Sequence, residues 1–575
     1  MTQPGTSAAP APRDRVGAPR GAVVILFAAV ALTYAVLLIV GLPHAPFDVN
    51  GFTHDSAYVD RLARNLVAGR GFVNDALWPV FLKPASIPLP FHNQNPLYAI
   101  AIAILAPVVS GDTGLAGFMI SAAANAAIFW ALGMLAFERL GLGVGESLIV
   151  GAAGALLPSV FYTGGRYLPD AMCAAALLWC FVWTCRRQRW APLMAGVFFG
   201  LSWLTRSTAV LALPAIGVLM LTDRGFRRSL LDGAVMGAGA LVVVSPWLVH
   251  TAHVWGSPFR SDGPFSLVAE FQARLSYGGE QQRFWHSLPT PPRLGGLIAS
   301  HPGEWLSFYA HSFPALLRDI AAGFANGIVD PSSFFALVVI CALAALGAWG
   351  LWRMRSSLSR EARSVVFAFA TFLATNVAFF ALLGGSIELR YLCAMNALVG
   401  AALAVAAVRA GRLVRSEGMA AHRVEAVVVG LALVGTALAL RADVRIHRFL
   451  RERNGETYSY YALARRVSAA APGNDPVVVG NAPYFFNIAT DRRALSIPES
   501  TDAELQSYMV RYGSRHVLLT DDERKFWRPA WAAPAGVPPF LRVLARDSSA
   551  TLYEWSSGAQ PGASADAAAS VSIRN

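Results

Sequence analysis

Five ionisable residues border or interrupt long apolar stretches of this sequence: Asp55, Asp170, Arg206, Glu388 and Arg390. A charge at membrane depth is costly, about 2.5–3.5 kcal/mol on insertion scales, and marks a functional candidate by default. Carboxylates so placed take protons or orient hydroxyls, and guanidinium groups hold anions through a planar fork. Each residue also has an ordinary reading. Asp55 opens a helical pattern, where a carboxylate caps backbone N–H groups. The others read equally well as interfacial charges or snorkelling arginines. Two of the five have charged neighbours: Arg166 stands four residues before Asp170 in GGRYLPD, and Glu388 two before Arg390 in GGSIELRY.

The elements that must position these residues follow from the apolar pattern. Around Asp55, the stretch Thr53 to Phe72 places Tyr58, Val59, Leu62, Ala63, Leu66 and Val67 on one helical stripe. Asp60, Arg61, Arg64 and Asn65 take the other face, and Gly69-Arg70-Gly71 supplies a stop. This predicts an amphipathic helix lying on the membrane surface. The chain as a whole is 55% hydrophobic and only 14% charged, where soluble proteins average about 25%. Many of its apolar runs approach or exceed the roughly 20 residues that cross a bilayer, so it is a polytopic, α-helical membrane protein with the lipid bilayer as partner. The net charge of +12 comes from arginines clustered between apolar runs, which encodes topology and excludes a nucleic-acid partner. The five cysteines all fall in apolar runs, with no disulfide framework or zinc spacing. GLGVG at 141–145 follows no strand and reads as a tight turn.

Eleven spans are expected: 21–41, 114–137, 146–164, 171–185, 191–205, 208–222, 231–250, 332–351, 364–384, 391–408 and 424–440. The apolar run 96–110 is short for a span. If it does not cross, the arginine clusters at 186–189, 224–228, 353–363 and 409–423 share the side of the basic N-terminus; if it crosses, all of them move outside. Residues 96–110 are therefore expected as a juxtamembrane helix on the outer face, with the N-terminus cytoplasmic. The domain plan is a disordered tail over 1–20 and a transmembrane domain over 21–441 with outer loops 42–113 and 251–331. A small extracytoplasmic α/β domain over 442–556 and a disordered tail over 557–575 complete it. In the α/β domain, PVVVGN, ALSIP and RHVLLT read as strands, TDAELQSYMVRYG as a helix, and LRVLARDSSATLYEW as a hairpin.

HDSAYVDRLARNLVAGRGF, PFHNQNPLYAI, RYLPDAMCAAALL, LSWLTRSTAVLALP and ELRYLCAMNAL, in this order and placement, resemble the GT-C superfamily of lipid-dependent membrane glycosyltransferases. Within it they look most like the protein O-mannosyltransferase and aminoarabinose transferase branch (glycosyltransferase family 39-like). The resemblance covers roughly residues 21–410. The chain departs from mannosyltransferases where Ser56, not a second acid, follows Asp55, and where no Pro follows Arg390-Tyr391.

The resemblance implies a glycosyltransferase that moves a sugar from a polyprenyl-phosphate donor to a lipid, glycan or protein acceptor outside a plasma (inner) membrane, with inversion. Topology agrees independently, because no cytoplasmic segment is large enough to bind a nucleotide sugar. The resemblance makes Asp55 the general base or acceptor-orienting carboxylate and Asp170 the second acidic site. Arg390, with Arg206 as second candidate, would hold the donor phosphate. His54, Tyr58, His92, Arg166, Glu388 and Tyr391 stand in the matching stretches as supporting residues. Some relatives use a divalent ion and others none, so a metal ion stays open. The rival readings are a transporter or flippase of lipid-linked sugars and a non-catalytic cell-envelope assembly protein. A transporter favours internal repeats and broken helices at the midplane, and no such repeat is visible.

Overall fold

The apolar runs fold as helices whose ends fall where charge or proline interrupts them. A computed structural model describes residues 20–41, 54–91, 95–261, 263–326, 359–382, 389–416, 462–466, 468–469, 473–480, 483–546 and 550–556. The expected spans 332–351 and 424–440 and both terminal tails lie outside the described residues. Ten helices carry the first two-fifths of the chain: α1 (Arg20–Gly41), α2 (His54–Val67), α3 (Leu97–Leu105), α4 (Thr113–Arg139), α5 (Val144–Ala155), α6 (Pro158–Gly164), α7 (Asp170–Cys185), α8 (Ala191–Thr205), α9 (Leu213–Arg224) and α10 (Phe226–Trp255). Among the described residues, six helices are long and apolar enough to cross a membrane, two of them beyond α10, at 360–381 and 390–409.

Two expected spans are not uniform α-helices. The run 146–164 breaks between α5 and α6, because Pro158 lacks the N–H that would continue the ladder and sets Leu157 in extended backbone, φ −57° and ψ 129°. The run 208–222 begins as a 3₁₀ turn, Ser207–Ala212, entered from extended backbone at Arg206. GLGVG is the tight turn expected between α4 and α5, with Gly141 at φ 64°.

At the far ends of α4, α7, α9 and the helix Arg360–Ala381, the arginine clusters meet. Arg187 reaches both Asp223 and Glu361 at 3.3 Å, and Arg139 the same two carboxylates at 3.6 Å. Arg186 pairs with Glu138 at 3.0 Å, and Arg409 donates to the Leu140 carbonyl at 2.9 Å. At the α5 crossing, a Cβ on Gly400 would stand 2.7 Å from the Ala153 carbonyl, and one on Gly154 2.7 Å from that of Ala397. Glycine there lets the helix Cys393–Ser416 pack backbone to backbone on α5.

The opposite end carries a six-stranded sheet in the order β2-β5-β4-β6-β8-β7. Its strands are β4 (Val477–Val479), β5 (Ala494–Ser496), β6 (His516–Thr520) and the antiparallel pair β7 (Leu541–Arg546) and β8 (Ala550–Trp555), all where the sequence puts them. The sixth strand, β2 (Ala76–Leu77), comes from the segment between α2 and α3 and pairs parallel to β5. A two-residue pair, β1 (Val73–Asn74) and β3 (Leu89–Pro90), flanks it. The segment that follows α10 also docks here. It is not an open loop: it folds into helices Gly263–Ser276, Gln281–Trp285, Leu294–Ser300 and Pro302–Asn326. His286 is buried, its Nδ1 2.6 Å from the Ile497 carbonyl, and its ring stacks on Trp527.

This docking corrects the expectation for α2. The helix forms, but its polar face is not left to solvent. Asp60, Arg61 and Asn65 are all buried. Arg61 bridges Asp75 at 2.6 Å and Asp491 at 2.6 Å, and Asn65 donates to Asp75. On the apolar side Tyr58 stacks on Phe91 and meets Tyr484 edge-on, both at 5.1 Å. The helix is clamped between the spans and the sheet because both its faces have partners.

Candidate active site

The turn Gly164–Asp170 delivers Asp170 as the first residue of α7, with its side chain 1% exposed. The helix has 16 residues, about 24 Å at 1.5 Å per residue, short of a hydrocarbon core of about 30 Å. Arg206 comes from the extended residue where α8 ends. Its Nε lies 2.8 Å from Asp170 Oδ1 and its Nη2 3.3 Å from Oδ2, a two-point ion pair. The same guanidinium sits 4.6 Å from the centre of the Tyr391 ring. Arg390, buried in the 3₁₀ turn Leu389–Leu392, lies 5.1 Å from that ring and directs Nη2 to the Tyr391 hydroxyl at 3.4 Å.

Together these residues line one narrow cleft of about 20 Å³. Its other walls are Cys173, Leu177, Thr208, Phe372, Asn376, Cys393 and Met395, among others. Among the described residues the charged lining is two guanidinium groups and one carboxylate, in mostly apolar surroundings. That is chemistry for an anion with an apolar attachment.

The start of α2 is tied to the same turn. Ser56 Oγ donates to the Tyr167 carbonyl at 2.8 Å, and the Tyr167 hydroxyl donates to Asp60 Oδ1 at 3.3 Å. Burial, then the Asp60 carboxylate, push the Tyr167 phenol well above its ordinary range, so it stays a neutral donor. Asp60 also accepts from Thr113 Oγ1 at 2.6 Å and pairs with Arg64 at 2.6 Å. The Asp55 backbone, one residue before Ser56, therefore stands beside the turn that carries Asp170; nothing is described of the His54 and Asp55 side chains.

Of the residues singled out in the sequence, Asp170, Arg206, Arg390 and Tyr391 come together. Arg166 is buried in the adjacent turn. Tyr58 points away, into the contact with Phe91 and Tyr484. His92 and Glu388 lie outside the described residues. Asn376 and Thr208 line the cleft without having been singled out. Asn376 was visible as a lone amide in the apolar run FLATNVAFF. Asp60 was not, because its partners are 53 and 107 residues away. Among the described residues no three His, Cys, Asp or Glu side chains gather as metal ligands, and Asp170 is engaged by Arg206.

Comparison with known proteins bears on this arrangement. Residues 93–250 match the family described as dolichyl-phosphate-mannose-protein mannosyltransferase, a stretch that includes Asp170 and Arg206 but not Asp55 or Arg390. No protein of curated function matches the sequence significantly. Among solved structures, the fold matches ArnT from Cupriavidus metallidurans bound to undecaprenyl phosphate at a TM-score of 0.55 and 14% identity, covering 94% of this chain and 100% of that one. It also matches the archaeal oligosaccharyltransferase AglB from Archaeoglobus fulgidus, in complex with an inhibitory peptide and a dolichol-phosphate. There the TM-score is 0.53 at 12% identity, over 90% of this chain and 72% of that one. The chain thus has the GT-C membrane fold with a small C-terminal sheet.

Proposed function

We propose that this protein transfers a sugar from a polyprenyl-phosphate donor to an acceptor hydroxyl on the outer face of the plasma (inner) membrane, with inversion at C1. The observation that carries the reading is the cleft in which Arg206 and Arg390 share the Tyr391 ring, with Asp170 paired to Arg206 in the same lining. Its neighbours in fold are supportive: ArnT was solved bound to undecaprenyl phosphate and AglB in complex with a dolichol-phosphate. In this reading residues 21–441 are the transferase domain, and 442–556 an extracytoplasmic domain packed against it.

The donor phosphodiester carries one negative charge. As the acceptor oxygen bonds to C1, the bond from C1 to the phosphate oxygen breaks, and the leaving polyprenyl phosphate keeps the electron pair and gains a second charge. Guanidinium groups that hold this second charge more tightly than the first lower the barrier, since only interactions stronger in the transition state accelerate the step. Arg390 is the main phosphate ligand, while Arg206 is held in place by Asp170. The acceptor proton passes to the Asp55 carboxylate, an effect worth roughly 10²–10⁴-fold. A helix N-terminus keeps Asp55 ionised and weakens it as a base, so orientation of the hydroxyl shares the work.

The test is transfer by the purified protein, supplied with a radiolabelled polyprenyl-phosphate sugar and an extract of the cell envelope. A labelled product of inverted configuration supports the reading and names the acceptor class. Movement of the labelled lipid across a vesicle membrane without a product would replace the transferase with a flippase.

A further inference from the structure

We propose that Tyr167 is a positioning residue that sets the separation between the acidic start of α2 and Asp170, an inference that rests on the transferase reading above. Tyr167 holds α2 at two points. Its backbone carbonyl accepts from Ser56 Oγ at 2.8 Å, the residue after Asp55, and its hydroxyl donates to Asp60 at 3.3 Å, one turn further along the same helix. Three residues downstream of Tyr167 stands Asp170. The turn itself is fixed from the other side, where Ser121 Oγ donates to the Leu168 carbonyl at 3.1 Å.

The ring has one place to go. A Cβ on Gly117 would lie 2.3 Å from Tyr167 Cε2, so α4 is bare where the ring lies on it, and Tyr98 meets the ring edge-on at 5.7 Å. A residue that only filled this space would need no hydroxyl. Here the hydroxyl reaches a fully buried carboxylate whose other partners, Thr113 and Arg64, belong to α4 and α2. Asp60 therefore gathers α2, α4 and the Asp170 turn on one side chain, with Tyr167 as the link to the turn. Displacing reacting groups by an ångström costs about a hundredfold in rate, so a device that fixes two carboxylates relative to each other belongs to the chemistry.

Tyr167→Phe keeps the ring and removes only the hydroxyl. The expected result is a fall in kcat of about tenfold or more, with KM for the donor and direct affinity for polyprenyl phosphate unchanged, because Arg206 and Arg390 are untouched. Hydrogen exchange at the amides of residues 56–60 should rise. Ser56→Ala, which cuts the other of the two holds on α2, should act in the same direction, and the double variant should lose more than either single change. Unchanged kcat and unchanged exchange in both single variants overturn the proposal. So does a lowered melting temperature with kcat per folded molecule intact, which would leave Tyr167 a packing residue. A wild type that transfers no sugar, but whose exchange at 56–60 still responds to both changes, would keep the tie and remove the transferase reading beneath it.

Discussion

Tyr391 touches two guanidinium groups, and the two arginines differ in what else they hold. Arg206 is committed to Asp170, whose side chain is 1% exposed. Removing one partner of a buried pair leaves an uncompensated charge, at about 3–5 kcal/mol. Arg206→Ala and Asp170→Asn should therefore lower thermal stability before they reveal anything about catalysis, and a melting curve checks this first. Arg390 reaches the Tyr391 hydroxyl at 3.4 Å and stands in the cleft wall. Arg390→Ala should weaken donor binding by about 10- to 150-fold, the loss of one charge-assisted hydrogen bond of roughly 1.5–3 kcal/mol. Lysine at that position should restore only part, since it keeps the charge without the fork. Titration of the variants with a fluorescent polyprenyl phosphate decides the matter, and full affinity in Arg390→Ala would pass the phosphate role to Arg206. Asp55→Asn, by contrast, should abolish transfer with donor affinity and expression retained. If Asp55 serves only as a cap, the cost is about 1 kcal/mol of stability with normal turnover.

Among the elements, α2 shows most plainly how far a single sequence reaches. Its 3.6-residue period gives the helix and its stop at Gly69-Arg70-Gly71, and the structure ends it at Val67. Its burial was beyond reach, because Arg61 is matched by Asp491, 430 residues away, and such pairing leaves no local trace. The strands β4, β5 and β6 were legible as short apolar runs bounded by glycine and proline, whereas β2 spans two residues and has no period to read. The break before Pro158 was written in the sequence, though an unbroken apolar run hides it. In the cleft, Asp170, Arg206 and Arg390 stood out as charges in apolar surroundings; Asp60 hid in a face that looked solvated. The sheet also carries an acid-sensitive contact. Burial alone would push the Asp475 carboxyl up, but the hydrogen bond from His516, then its own backbone N–H and the charges of His516 and Arg492, hold it below the ordinary carboxylate value. A carboxyl depressed by folding adds stability above its unfolded pKa and loses it as pH falls through the folded one. The melting temperature of the protein should therefore drop as pH falls below about 4, and Asp475→Asn should flatten that part of the profile. A profile identical to the wild type would assign the acid sensitivity elsewhere.

For the whole molecule, the decisive question is which way the site faces. Asp170 and Arg187 bracket one helix: the first opens α7, and the second follows its last residue, Cys185, by two. Arg187 joins Asp223 and Glu361 in the ion-pair cluster at the arginine-rich end, where the positive-inside rule expects the cytoplasm. Ser110 is exposed just before α4, whose second turn lies under the Tyr167 ring on the Asp170 side. Site and arginine cluster thus lie at opposite ends of the bundle, and the orientation of one fixes the other. In intact cells, Ser110→Cys should react with a membrane-impermeant maleimide from outside, and Arg187→Cys, 66% exposed at its side chain in the wild type, only after permeabilisation. The five native cysteines fall in apolar runs, and the four that lie among the described residues are buried, so they contribute little background. Labelling in the reverse order would turn the cleft toward the cytoplasm, where nucleotide sugars are plentiful. The physical need for a donor already anchored in the membrane would then disappear, and with it the topological half of the case for a polyprenyl-phosphate sugar.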